Sequence, residues 1–173
     1  MNLTIPPGPD DHSLGPDDAP ITIVEYGRYD CPHCRQALAH LVTVRKTLGF
    51  PVRLIYRHFP DESPRSQSRR ASEAAEAAGR QGKFWEMHGY LLEHQQALDD
   101  AGLVAGAAML GLDATALARD LETSAHAETV RAQFRGGLAS GVRSTPTFFI
   151  NGVRHDDDWD AETLIDAIQS SIK

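Results

Sequence analysis

Both cysteines of this chain fall within nine residues, Tyr26-Gly27-Arg28-Tyr29-Asp30-Cys31-Pro32-His33-Cys34, and no other feature constrains the fold as tightly. The stretch follows the apolar run 21–24 and precedes a helical pattern over 35–48. It therefore predicts a strand-to-helix junction carrying two thiols within bridging reach. The first turn of a helix leaves backbone N–H groups unpaired, and with the helix dipole they favour a negative charge. An ordinary thiol with a pKa near 8.5 is only about 3% ionised at neutral pH, whereas cysteines in such settings fall to roughly 3.5 to 7.5. Cys31 is the candidate nucleophile and Cys34 its partner, with Pro32 and His33 between them as part of the same site.

Three other uses of the pair are open. A structural disulfide closing a loop of roughly four residues is worth about 2 kcal/mol before strain is subtracted, which is a poor staple. Half of a zinc site would need about two further ligands, and the chain holds no second Cys-x-x-Cys and no His-x-x-x-His pair. Two inert core thiols would fit poorly with Pro32 and the polar His33, which suit the first turn of a helix. The redox reading is favoured, and dithiol exchange requires no metal and no organic cofactor.

The 173 residues, 41% of them hydrophobic, suffice for one domain or for one domain with a sizeable insertion. A net charge of −7 disfavours nucleic acid and anionic membrane as partners, and no apolar run approaches the roughly 20 residues needed to cross a bilayer. Residues 1–20 hold five of the ten prolines and read as an irregular arm. They contain no apolar leader, so a cytoplasmic setting is expected. A Met standing in for a removed signal peptide would leave the same sequence and an extracytoplasmic setting.

From Ile21 the periods are clear. Ile21-Thr22-Ile23-Val24-Glu25-Tyr26 predicts a buried strand, with Glu25 either solvated at the strand's mouth or buried beside the dithiol with a raised pKa. Ala37, Leu38, Leu41, Val42, Val44 and Leu48 give the next helix an apolar face, ended by Gly49 and Pro51. Val52-Arg53-Leu54-Ile55-Tyr56-Arg57-His58-Phe59 reads as a second strand, parallel to the first. His58 is read as a structural hydrogen-bonder. The period is then helical from 63 to 140, with five helices expected. One is marked by Ala71, Ala74, Ala75 and Ala78, and a second by Phe84, Met87, His88, Leu91 and Leu92. A third carries Leu103, Val104, Met109 and Leu110, and a short fourth is capped by Asp113. The last contains Val130, Phe134 and Leu138 and is weakened by Gly136 and Gly137. Their aromatic and Met positions are read as core. Asn151-Gly152 between apolar segments predicts a type I′ hairpin, and Asp160 should cap a final helix. The expectation is an α/β fold in which residues 21–62 and 141–173 form a mixed four-stranded sheet flanked by helices, and 63–140 form an all-helical insertion.

Cys31-Pro32-His33-Cys34 together with Thr145-Pro146-Thr147-Phe148-Phe149-Ile150-Asn151-Gly152 resembles the DsbA-like branch of the thioredoxin superfamily. So do Glu25 six residues before the first cysteine, Arg57-His58-Phe59-Pro60, and Lys83-Phe84-Trp85-Glu86-Met87-His88. The resemblance spans almost the whole chain. It implies a thioredoxin fold split by a helical domain, a cis peptide bond at Pro146 facing the dithiol, an exposed Cys31 and a shielded Cys34. It also implies that Glu25 serves proton transfer at Cys34, and that Thr145 and Pro146 bind an extended substrate segment. Protein or peptide thiols and disulfides would be the partners, together with a redox partner that recycles the enzyme. Thr145 stands where oxidases of the branch typically carry valine and isomerases often carry threonine, so the direction of exchange stays open. The competing expectation is a non-catalytic binding module, either chaperone-like or a dimer sharing one metal between two Cys31/Cys34 pairs.

Overall fold

The computed structural model describes residues 1–63 and 66–172. Positions 64 and 65 of the expected insertion and position 173 of the expected C-terminal segment lie outside the described residues. Strand β1 is His12–Leu14 and β2 is Ile21–Gly27, followed by helix α1 (Pro32–Thr47) and strand β3 (Val52–His58). Five helices come next: α2 (Gln67–Arg80), α3 (Phe84–Glu93), α4 (Asp100–Met109), α5 (Ala114–Glu122) and α6 (Ala127–Ala139). Strands β4 (Thr147–Ile150) and β5 (Val153–His155) and helix α7 (Ala161–Ser171) complete the chain.

The sheet order is β1-β3-β2-β4-β5. β2 and β3 run parallel, in register from Ile21 opposite Val52 to Gly27 opposite His58, and every other pair is antiparallel. Alternate residues of a strand face opposite sides. Ile21 and Ile23 of β2, with Val52 and Leu54 of β3, pack against Ala37, Leu41 and Val44 of α1 and Leu164 and Ile168 of α7. Val24, Tyr26 and Ile55 face the other side, where Phe134 of α6 packs with them. Continuing the alternation puts Glu25 and Tyr56 on the α1 side, opposite one another in the register. Asn151 and Gly152 adopt φ of 48° and 81°, the pair of positive values that a type I′ hairpin requires.

Several expectations change. The sheet has five strands, because the arm expected to be irregular supplies β1, paired antiparallel with β3. His12-Ser13-Leu14 carries no β-branched residue, and the free edge of β3 is what orders it. Asp11 clamps the arm by a two-pronged pair with Arg57 at 2.8 Å on each prong, while Arg57 also donates to the carbonyls of Ile5 and Pro6. In α1 the buried set is Cys34, Ala37, Leu41 and Val44, a spacing of three and four from which Val42 is displaced, and Val42 is 45% exposed. Met109 and Leu138, both expected in the core, are exposed. Met109 ends α4 beyond its buried face of Leu103, Gly106 and Ala107. In α6 the packing face runs through Gly136 and Gly137: a Cβ on Gly137 would lie 2.7 Å from the Phe59 ring and 3.0 Å from Tyr26. The glycines that lower helix propensity thus let α6 approach the sheet.

Asp113 and Asp160 cap α5 and α7, accepting from the N–H groups of Ala116 and Thr163. Ser66 does the same for α2 and Asp99 for α4, without having been singled out from the sequence. Among the described residues no helix is long and apolar enough to cross a membrane.

Candidate active site

Cys31 is the N-cap residue of α1, with Pro32 at the first helical position. Pro tolerates that place because the N–H it lacks would go unpaired there. The Cys31 carbonyl accepts from the N–H groups of Cys34 and Arg35, at 3.1 and 3.3 Å. Both cysteines are free thiols. Across from them the Thr145–Pro146 peptide bond is cis, and Cys31 Sγ lies 3.5 Å from the Thr145 carbonyl oxygen.

The structure brings the seven residues singled out from the sequence, Glu25, Cys31, Pro32, His33, Cys34, Thr145 and Pro146, to one end of the sheet. Pro32 and His33 are exposed and Cys34 is fully buried. The expected exposure of Cys31 is corrected: only 6% of its surface is accessible, because the segment at Thr145 covers its sulfur. It reaches solvent through an open cleft of about 450 Å³ lined by Arg28, His33, Phe59, Arg143 and Thr145. The His33 ring lies 5.8 Å from that of Trp159.

The two thiols are driven apart electrostatically. Cys31 is pushed down from 9.0 to about 5, first by the hydrogen bond from the Cys34 thiol, then by the Thr145 side chain and the backbone N–H groups of Cys34 and His33, against its own burial. Cys34 is pushed far up by that same hydrogen bond, by burial and by the negative charge of Glu25. Glu25 is 5% exposed and is raised to about 8, first by desolvation and then by repulsion from the Cys31 thiolate. The arrangement holds one ionised sulfur, one protonated sulfur and a buried carboxyl that titrates near neutrality, which is the equipment for moving a proton as a sulfur bond forms.

Sequence reasoning missed three contributors. Gln95, just after α3, donates to the carbonyls of Tyr29 and Cys31, both at 2.8 Å, and so ties the reactive loop to the insertion. No local signal could have shown that. Tyr29 is completely buried and hydrogen-bonds His88 Nδ1 at 3.1 Å. His88 is pushed down to about 3 by burial and by the charges of His58 and His12. Tyr56 lies beside Glu25, as the strand register requires, and a parallel pairing of the two predicted strands would have suggested it. His58, expected to be structural, is buried with its Nε2 2.8 Å from Glu76 of α2.

A family model described as thioredoxin matches residues 8–170. A protein named Na(+)/H(+) antiporter NhaA 1 from Salinispora arenicola (strain CNS-205) is 41% identical over 99% of this chain but only 26% of its own length. The chain thus spans about a quarter of the curated relatives it matches. A thioredoxin-like oxidoreductase from Silicibacter pomeroyi DSS-3 superposes with a TM-score of 0.81 at 29% identity, covering 95% of this chain and 94% of that one. Oxidised BdbD from Bacillus subtilis shares the fold, with a TM-score of 0.83 at 23% identity over 92% and 91% of the two chains. With its dithiol at the start of α1, its mixed sheet and its helical insertion, the chain belongs to the thioredoxin family.

Proposed function

We propose that this protein exchanges its Cys31–Cys34 dithiol or disulfide with the cysteines of protein substrates through a mixed disulfide at Cys31, and that its direction is oxidation of substrate thiols. The observation that carries the proposal is the placement of Cys31 as the N-cap of α1, at the cleft and 3.5 Å from the Thr145 carbonyl, with Cys34 fully buried behind it, a geometry that holds Cys31 down near 5 and Cys34 far up. A sulfur that leaves as a stabilised thiolate is a good leaving group, so a mixed disulfide between Cys31 and a substrate is readily attacked at the substrate's sulfur, which frees Cys31. A substrate thiolate attacks Cys31 Sγ, the Cys31–Cys34 bond breaks, and Cys34 takes up a proton. A second substrate thiolate then attacks its partner sulfur and releases Cys31 as thiolate. In the reverse sense Cys34 gives its proton to Glu25 as it attacks. Once Cys31 is tied up in a mixed disulfide its charge no longer repels Glu25, which favours the ionised carboxylate needed for that step. The Thr145 backbone would hold the substrate in an extended form, which recognises peptides without reading much of their sequence. A separate redox partner would reoxidise the dithiol.

Reduction of insulin and oxidation of a dithiol peptide in a defined redox buffer test this. Cys31→Ser should abolish both, and Cys34→Ala should accumulate mixed disulfides. A protein that holds stoichiometric metal between two copies and turns over neither substrate would overturn the proposal in favour of a binding module.

A further inference from the structure

The cleft over Cys31 meets a second one, of about 490 Å³, at the Thr145–Pro146 bond, and Ser144 lines both. The two halves differ in charge. On the Cys31 side stand Arg28 and Arg143, with Phe59 and Pro60 supplying apolar lining. Beyond Pro146 stand Asp156, Asp157 and Asp158. Arg28 is paired with Asp30 at 3.1 Å, and Asp156 with Arg154 at 2.8 Å. Arg143, Asp157 and Asp158 are exposed and have no ion-pair partner among the described residues. Arg143 Nη1 donates to the carbonyls of Leu138 and Val142, at 3.2 and 2.7 Å. Those two bonds steady the guanidinium at the edge of the cleft, while its charge and its other N–H groups stay available for a ligand.

We propose that Arg143 makes the exchange selective for substrate cysteines followed by an acidic residue, and that Asp157 and Asp158 reject an acidic residue placed before the cysteine. The proposal rests on the exchange at Cys31 described above. An extended segment laid antiparallel on Thr145, the pairing with the more stable ladder, runs opposite to this chain. Its residues after the cysteine therefore lie toward Ser144 and Arg143, and those before it toward Pro146 and the aspartates. A carboxylate on the first side gains a charge-assisted hydrogen bond from a guanidinium whose planar fork suits it. On the second side the same carboxylate meets two unpaired like charges, so the discrimination has a repulsive part as well as an attractive one. The chain as a whole carries −7, so the attraction is local to Arg143 and opposes the general field.

The test uses Cys34→Ala protein with Cys31 held in a mixed disulfide with thiopyridine, an uncharged leaving group. A peptide thiolate bonds to Cys31 Sγ, the bond to thiopyridine breaks, and the released thiopyridone is read by its absorbance. The peptides are end-capped and carry Ala-Cys-Asp, Asp-Cys-Ala or Ala-Cys-Ala at their centre. Each rate is divided by that peptide's rate with dithiodipyridine free in solution, which removes differences in thiol reactivity. The peptide with Asp after the cysteine should react about fivefold faster than the uncharged one, the upper end of what an exposed ion pair gives. The peptide with Asp before it should react more slowly than the uncharged one, and Asp157→Asn should lessen that penalty. Arg143→Gln should bring the first peptide down to the rate of the uncharged one in the same variant. Equal rates for the three peptides, the opposite order, or a preference that survives Arg143→Gln would overturn the proposal. Should Arg143→Gln fail to fold, salt decides: the gain should vanish in about 1 M sodium chloride, where charges are screened beyond about 3 Å, and a gain indifferent to salt refutes it. Failure of the exchange reaction itself shows differently, as a Cys31 that reacts with none of the peptides.

Discussion

Closing the Cys31–Cys34 disulfide should destabilise this protein at alkaline pH, the reverse of what a cross-link ordinarily does. The bridge closes a loop of only about four residues and contributes about 2 kcal/mol by restricting the unfolded chain. What it removes is an ionised Cys31 whose pKa in the folded protein is about 5, against 9.0 ordinarily. Four units of depression correspond to about 5 kcal/mol in favour of the folded dithiol when fully expressed. Cys31 opens onto a solvent-filled cleft, which screens part of this interaction, and half of it, about 2.7 kcal/mol, still exceeds the loop contribution. Because the folded pKa is the depressed one, the stabilisation is complete above the unfolded value of about 9. It declines as pH falls and is gone once pH passes below about 5. The reduced form should therefore melt higher than the oxidised form near pH 9, and the order should invert before pH 5. At roughly 2 to 4 °C per kcal/mol for a chain of this size, differential scanning calorimetry of both forms across that range would resolve the crossing. An oxidised form that melts higher at every pH would show that the thiolate is not strongly stabilised, and with that the oxidising direction would fall.

Two further outcomes follow from the same site. Glu25→Gln should stabilise the reduced protein, since a carboxyl raised from 4.5 to about 8 opposes folding wherever the unfolded chain ionises it and the folded one does not. The gain should be absent below about pH 4.5, reach on the order of 3 kcal/mol at pH 7 and level off above about pH 8, and a pH-independent change in thermal melts would refute it. Thr145→Val removes a hydroxyl that helps hold Cys31 down while keeping the side chain's shape. The thiolate absorbance at 240 nm should then titrate about one unit higher, and an unmoved titration would show that the side chain contributes nothing.

The parts of this fold legible in the sequence are those in which local chemistry and tertiary structure agree. Asn151-Gly152 demanded positive φ, Asp113 and Asp160 offered caps, and the periods of β2, α1 and β3 stood in the chain as they stand in the structure. That the dithiol, the Pro146 loop and the carboxylate of Glu25 come together was legible because each carries a signal of its own. The strand β1 was not. Nothing in His12-Ser13-Leu14 favours extension, and only the unpaired edge of β3 and the Arg57–Asp11 clamp make it one. Val42, Met109 and Leu138 were misplaced for a related reason: an apolar residue one step off a helix's buried stripe looks like core until the neighbouring element is fixed. Gln95 and Tyr56 act on the site from 64 and 31 residues away from Cys31 and Glu25, and sequence distance conceals such pairs.

The helical insertion is joined to the chemistry more closely than a separate domain would be. Tyr29, Cys31, Cys34 and Tyr56 bury themselves in the same apolar cluster as Ala74, Met87, Leu91 and Leu103 of α2, α3 and α4. The backbone just before Cys34 is held by Gln95, and the Tyr29 side chain by His88. His88 stays neutral down to about pH 3, so the Tyr29 contact persists at any pH where the dithiol operates. Glu76 of α2 lies between His12 of the arm and His58 of the sheet, at 3.0 and 2.8 Å. Its carboxylate is held far below the usual range by those two hydrogen bonds despite its burial. One carboxylate thus links arm, sheet and insertion. A depressed carboxylate loses its charge only as pH falls through the folded value, so Glu76 stays ionised across the whole span in which Cys31 and Glu25 titrate. Glu76 and His88 thus keep their charge state while Cys31 and Glu25 change theirs.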